Sequence, residues 1–278
     1  MPEEAFSSVD LVAQCLIDEP RSLAFEAAIK EVVKPNHKVI DLGTGSGLMA
    51  MFAARAGALD VKALEFDPFI AKVANQNIST NGFSEKIELW LGDARSFDFP
   101  EGVNFDVVIM EMLTTAMVDE FQVQAANNLQ DRKVVSEKTV FIPKSQQTFV
   151  ELVNKNFEIY GFVFKMVKHL WNNLSENQKY EVLSEKSLLN DIHFNRKNDE
   201  YFDKVIEVKS VKAGEVNAVR LSSRAFLTDK IILDDTETFN APVIIPIKET
   251  KIEADAVIKL RVRYRFGFGY QHLSAEIL

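Results

Sequence analysis

The sequence has 278 residues and a single cysteine, Cys15. One cysteine rules out an internal disulfide and a cysteine-built metal cluster, and it points to a cytoplasmic protein. No run approaches 18 consecutive apolar residues, so no membrane span is expected. The opening MPEEAFSSVD has no basic stretch followed by an apolar one, so no secretory signal is expected. The four histidines, His37, His169, His193 and His272, lie far apart without metal-ligand spacing, and no metal site is expected. Positive charge is also in deficit. There are 32 Lys+Arg against 41 Asp+Glu, net −9, which discourages holding nucleic acid by general electrostatics. What is present is core: 47% of residues are hydrophobic, enough for one large or two ordinary globular domains. The acidity is local. Residues 1–150 hold 13 basic and 22 acidic residues, so the remaining 19 and 19 cancel.

The two halves also differ in pattern. From Val9 to Val33, apolar positions recur at helical spacing, with Pro20 interrupting and Pro35 ending the run. Strand-like segments follow at Lys38–Leu42, Val61–Phe66, Ile87–Leu91 and Phe105–Met110, separated by helix-like Leu48–Gly57 and Pro68–Gly82. That alternation predicts parallel strands in a doubly wound α/β domain. After Val140-Phe141-Ile142-Pro143, β-branched and aromatic runs dominate: Thr148–Val153, Lys204–Val211, Val219–Leu227, Lys230–Leu233, Ala241–Ile247 and Ala256–Phe268. Their partial alternation predicts an antiparallel barrel or sandwich. A polar-flanked stretch from Phe164 to Leu189 reads as helical. The expected division is a Rossmann-like domain over 1–145 and a β-rich domain over 146–278, with a helical insertion at about 164–189.

Gly43-Thr44-Gly45-Ser46-Gly47 joins the first strand to a helix, where glycines let the backbone turn sharply and approach a ligand. Glu65 ends the next strand, with Phe66 beside it, placed to accept hydrogen bonds from ribose hydroxyls. A dinucleotide loop would carry its third glycine one place later, where this chain has Leu48. Asp41, two residues before the first glycine, would repel a pyrophosphate. It suits a cofactor bearing an ammonium and a sulfonium, which favours S-adenosylmethionine over NAD. Asp93 and Ala94 follow the third strand and are placed for the adenine edge.

Asp18-Glu19-Pro20-Arg21, Val39 to Ala58 and Ala63-Leu64-Glu65 together resemble the core of the protein arginine methyltransferases. The resemblance implies that Arg21 grips the methionine carboxylate of the cofactor through two parallel hydrogen bonds. It also implies that Asp41, Gly43, Gly45 and Glu65 bind the rest. Glu111 and Glu120 match the paired glutamates of that family, which orient the substrate guanidinium. On a continuous helix, nine residues rotate the chain by roughly 180°, so the two acids converge only if a loop lies between them. Two carboxylates suit a group with a pKa above about 12, because they orient one nitrogen and offset its charge. Phe141-Ile142-Pro143 resembles the switch into the family's β-barrel. Tyr160-Gly161-Phe162 resembles the start of its dimerisation arm, with Leu170, Trp171 and Leu174 as apolar anchors. The resemblance therefore implies a possible homodimer.

Three family features depart. Between Glu111 and Glu120 the chain reads Met-Leu-Thr-Thr-Ala-Met-Val-Asp, without the aromatic wall beside the guanidinium. Thr238-Phe239-Asn240-Ala241-Pro242 stands where a Thr-His-Trp loop would fall, with no counterpart to it. The Tyr-rich N-terminal helix that closes over the cofactor is missing. The expected activity is methyl transfer from S-adenosylmethionine to a nitrogen acceptor, a protein side chain such as arginine, on a basic protein or peptide. Two alternatives are an RNA methylase, given Arg261-Val262-Arg263-Tyr264-Arg265 as a positive strand face, and a non-catalytic cofactor-binding scaffold.

Overall fold

The computed structural model describes residues 9–170, 179–236 and 238–278. Two helices open the chain, α1 (Val9–Ile17) and α2 (Glu19–Val32). Asp18 separates them for a local reason. Its carboxylate accepts from the Arg21 N–H at 3.3 Å and caps α2, and Pro20 sits in the first turn, where its missing N–H costs nothing.

A five-stranded parallel sheet follows, formed by β1 (Lys38–Leu42), β2 (Asp60–Glu65), β3 (Ile87–Leu91), β4 (Val107–Ile109) and β5 (Val140–Ile142), in the order β3-β2-β1-β4-β5. Helices α3 (Leu48–Arg55), α4 (Pro68–Thr80) and α5 (Gln122–Asp131) connect the strands. The strands are apolar on both sides because both faces are covered. Val39, Val107 and Ile109 pack with Phe25, Ile29 and Ala53, while Ile40, Leu42 and Val108 pack with Val123 and Leu129. This is the expected Rossmann-like arrangement. Helix α5, whose segment QVQAANNLQD is polar despite its burial, was not legible in the sequence.

The rest of the described chain is antiparallel. Strands β6 (Ser145–Lys155), β10 (Tyr180–Val182), β11 (Ser187–His193), β13 (Gly214–Phe226), β14 (Ile232–Leu233), β15 (Val243–Ile252) and β9 (Lys168–His169) form a seven-stranded sheet. A second sheet of β12 (Tyr201–Lys209), β16 (Val257–Arg265) and β17 (Ser274–Ile277) shares one core with it: Val150, Leu152, Val219 and Leu221 cluster with Phe202, Leu260, Val262 and Tyr264. The same cluster continues into the parallel sheet through Ile40, Leu64 and Val108.

The helical insertion expected over 164–189 is not found among the described residues. Residues 158–163 form a two-stranded hairpin of β7 (Glu158–Ile159) and β8 (Phe162–Val163), turning through Tyr160 and Gly161, both at positive φ. Beyond it lie extended backbone and strands β9, β10 and β11. Sheet pairing to β6 and β15 decides the conformation where local polarity suggested a surface helix. Leu170 is buried against Val153, Phe157 and Ile244, whereas Trp171 and Leu174 lie outside the described residues. The arginines of the suspected basic face are paired: Arg261 with Asp203, Arg263 with Glu276 and Arg265 with Glu200, while Tyr264 is fully buried. Among the described residues, no helix is long and apolar enough to cross a membrane.

Candidate active site

A cavity of about 350 Å³ opens where β1, β2, β3 and β4 end. The carboxyl ends of parallel strands are where open α/β sheets gather binding loops. The glycine loop is anchored there, with the Gly43 and Thr44 N–H groups donating to Leu64 O at 2.9 and 3.0 Å. Gly43, Gly45 and Gly47 all have positive φ. Of the expected cofactor residues, Gly43, Thr44, Gly45, Glu65, Phe66, Asp93 and Ala94 line the cavity.

Three do not line it. Gly47 faces helix α4, where an added Cβ would meet Ile78 at 3.4 Å, so its place is explained by packing. Asp41 is buried one layer below. One of its oxygens, Oδ2, accepts from Thr44 Oγ1 at 2.6 Å and Ala50 N at 3.1 Å, which organises the loop and the start of α3. The other, Oδ1, is buried without a hydrogen-bond partner. Burial lifts the Asp41 acid to about 7, opposed by those two hydrogen bonds. Arg21 is 1% exposed, and its Nε stands 2.7 Å from Glu111 Oε1, off the N–H axis. The same guanidinium donates to Leu113 O, to Thr238 Oγ1 at 3.0 Å and to Cys15 Sγ at 3.4 Å. It is therefore held among protein groups rather than pointing openly into the cavity.

Glu65 is pre-set at the end of β2. Its Oε2 accepts from Gly45 N at 3.0 Å and its Oε1 from Phe66 N and Asp67 N at 2.9 and 3.0 Å. Burial still raises its pKa. Both oxygens of Asp93 are engaged by the guanidinium of Arg95, which holds the acid below its ordinary range despite partial burial.

Glu111 and Glu120 line the same cavity. The chain between them is a loop around a short 3-10 turn at Thr115–Met117, with Ala116 and Met117 at positive φ, so the convergence does not depend on a helix. Burial raises both acids. Glu111 is offset by Arg21, whereas Glu120 reaches about 8, pushed further by the Glu111 charge.

The three departures look different in space. Phe121, Phe239 and Phe268 line the cavity, so an aromatic wall exists, assembled from distant segments rather than from the glutamate loop. Phe121 and Phe268 meet edge to face at 5.6 Å. The segment at 238–242 also has a structural part to play. Thr238 Oγ1 donates to Asp18 Oδ2 at 2.7 Å while accepting from Arg21, and Thr115 bonds the backbone of Phe239 and Ala241. An N-terminal helix does cover the glycine loop: α1 supplies Leu11, Val12, Cys15 and Leu16, an apolar cover instead of a tyrosine-rich one. Phe121 directly follows Glu120 and was open to inspection; Thr238 and Phe239 were marked only by their place in the resemblance, and Phe268 carries no local signal, because its place depends on the second sheet folding back.

Comparison with known proteins bears on the family and the fold. The sequence model of a family described as ribosomal protein L11 methyltransferase (PrmA) matches residues 23–179. An uncharacterized protein of Methanocaldococcus jannaschii is 34% identical over 262 residues, 94% of each chain. A ribosomal protein L11 methyltransferase of Carboxydothermus hydrogenoformans is 30% identical over 133 residues, 48% of this chain and 42% of the relative. Among solved structures, a Trypanosoma brucei PRMT1 enzyme-prozyme heterotetrameric complex with AdoHcy shares the fold, with TM-score 0.78 and 16% identity. It covers 98% of this chain and 94% of its own.

Proposed function

The chain belongs to the PrmA methyltransferase family, and from that premise we propose that it moves the methyl group of S-adenosylmethionine to a nitrogen on a protein side chain such as arginine. The observation that carries this reading is the convergence of Glu111 and Glu120, nine positions apart, on the cavity that holds the glycine loop and Glu65. The enzyme is S-adenosylmethionine-dependent, and its residues suit that cofactor. The buried Asp41 Oδ1 has no hydrogen-bond partner among the described residues, and an ammonium donor would satisfy it. Glu65, fixed by three backbone N–H groups, keeps one acceptor site, on Oε2, for a ribose hydroxyl.

When bound, the cofactor supplies an electrophilic methyl group on a sulfonium. In our reading Arg21, whose nitrogens face Glu111, Leu113 O, Thr238 and Cys15, exchanges one of these partners for the methionine carboxylate, and its charge opposes the effect of burial on Glu111. Gly43, Thr44, Gly45 and Gly47 shape the loop around the amino-acid end; Phe66, Asp93 and Ala94 border the adenine. Glu111 and Glu120 orient the acceptor nitrogen in line and offset its charge. Phe121, Phe239 and Phe268 exclude water from that end. Glu120, its acid raised to about 8 by burial and the Glu111 charge, ionises when a cation sits beside it and then suits a group that accepts a proton as transfer proceeds. The acidic cleft favours a basic peptide segment, whereas the paired arginines of β16 give RNA no free positive face. The exposed tip of the hairpin, with Ile159, Tyr160, Phe162 and Val163, supports pairing with a second copy of the chain. The single free cysteine suits a cytoplasmic location.

Incubating the enzyme and radiolabelled S-adenosylmethionine with a cell extract tests the acceptor. Label that is lost to protease and resists nuclease is the expected outcome. Nuclease-sensitive label would replace the protein acceptor by RNA, and no incorporation would leave a cofactor-binding scaffold.

A further inference from the structure

Between Glu111 and Glu120 the chain makes a strained turn. Ala116 (φ 58°) and Met117 (φ 53°) stand one after the other in the left-handed region, and neither is a glycine. For a residue with a Cβ that region is sterically costly, and it persists only where the surroundings over-determine it. Both side chains are fully buried in the core shared by the parallel and antiparallel sheets. The turn reverses the chain, so that the buried Gln122 at the start of α5 donates through Nε2 to Met110 O at 2.9 Å. That bond closes the neck of the loop beside both glutamates, since Met110 precedes Glu111 and Gln122 follows Glu120 by two positions.

The groups that hold the turn come from the antiparallel half. The inward row of β13 reads Val219, Leu221, Ser223 and Ala225, apolar except for the serine. Ser223 is 2% exposed, and its Oγ accepts from Ala116 N at 2.9 Å. The flanks are fixed separately: Gln146 Nε2 donates to Thr114 O at 2.9 Å, and Gly267 N to Met117 O at 3.0 Å. Those two bonds reach carbonyls, whereas the serine takes the N–H of the first left-handed residue. Without the hydroxyl, a buried N–H loses its acceptor at the point where the backbone is most strained. The released turn would relax toward ordinary φ and carry Glu120 with it, while Glu111 stays against Arg21.

We propose that Ser223 is a positioning residue for Glu120: acting through Ala116, it holds the left-handed turn that brings this carboxylate to the same cavity wall as Glu111. This rests on the reading above that Glu120 serves the acceptor end. Ser223 itself does not line the cavity, so it acts on the glutamate and not on cofactor or acceptor.

Calorimetry on the full chain tests this with two cofactor analogues and no acceptor. Sinefungin carries an amino group where S-adenosylmethionine carries its methyl, S-adenosylhomocysteine carries nothing there, and the ends of the two molecules are the same. Their affinity ratio therefore reports a carboxylate at the methyl end and cancels general damage to the site. The wild type should prefer sinefungin by about tenfold, the worth of a charged hydrogen bond, and Glu120→Gln should remove most of that preference. Ser223→Ala should lower it to about twofold. Adding Ala116→Gly, which adopts positive φ without steric cost, should restore it. Ser223→Cys, similar in size but a weak acceptor, should fall between wild type and Ser223→Ala, and it carries the test if thermal midpoints show Ser223→Ala unfolded. If Glu120→Gln lowers the ratio but the Ser223 variants keep the wild-type value, or if Ala116→Gly restores nothing, the role of Ser223 is overturned and the proposed function stands. A wild type without preference removes Glu120 from the methyl end, and both readings fail together.

Discussion

Arg21 and Glu111 face one another at 2.7 Å across 90 positions of sequence, one on the second helix and the other beyond the fourth parallel strand, the arginine buried and the glutamate 11% exposed at the cavity wall. A buried pair of this kind is expensive to break from one side, because the survivor is left charged without a counter-ion. Arg21→Met should therefore destabilise the protein by about 3 kcal/mol. Urea unfolding measures it. Glu111→Gln, which keeps the shape and an acceptor oxygen, should cost less, retain cofactor affinity and abolish methyl transfer.

Thr238 is the hinge-pin of the same cluster, bridging Asp18 and Arg21. Thr238→Val preserves volume and removes the hydroxyl, so two buried polar groups lose a partner. A loss of about 1–3 kcal/mol in stability follows. Cofactor affinity should fall with it, by about tenfold, since 1.4 kcal/mol corresponds to that factor. Unchanged affinity by calorimetry would show that Arg21 keeps its orientation without the threonine.

Asp41 links pH to cofactor. Its folded pKa, about 7, lies above the ordinary 3.8, so the folded apo protein binds more protons than the unfolded chain between those values. The stability this lends is present below the unfolded pKa and is lost as pH rises through about 7. An ammonium beside Asp41 requires the ionised form, so cofactor affinity should rise from pH 6 to 8 with release of a proton. Calorimetry in buffers of different ionisation enthalpy measures that proton. Asp41→Asn should weaken binding and remove its pH dependence.

Cys15 reports on the covering helix. Burial, with the Glu111 charge, pushes its thiol up to about 12, so almost no thiolate exists near neutrality. Alkylation of the folded protein at pH 8 should be far slower than in urea, and slower again with cofactor present, because the thiol lines the cavity. Fast alkylation of the folded protein, followed by mass spectrometry, would show that α1 lifts readily from the glycine loop.

The parallel half was legible because its cues are local. Apolar strands covered on both faces, the interruption of the first helical run at Pro20, and an acid at the end of β2 all sit within a few residues of what they control. The second half was less so. Its strands were visible as β-branched runs, but the stretch from 164 to 189 takes its conformation from partners such as β6, which no local pattern announces. The site divides likewise. The loop glycines were readable from spacing and the paired glutamates from the family resemblance, whereas Phe239 and Phe268 reach the cavity only because two antiparallel sheets fold back onto the parallel one.

That fold-back has a mechanical consequence. Ile40, Leu64 and Val108 of the parallel sheet belong to the same apolar cluster as Val219, Leu260 and Tyr264 of the antiparallel sheets. A chain cut after Pro143 would leave each fragment with a wide, dry surface facing water. Neither half is then an autonomous folding unit, and heating the intact protein should give one cooperative transition in place of two.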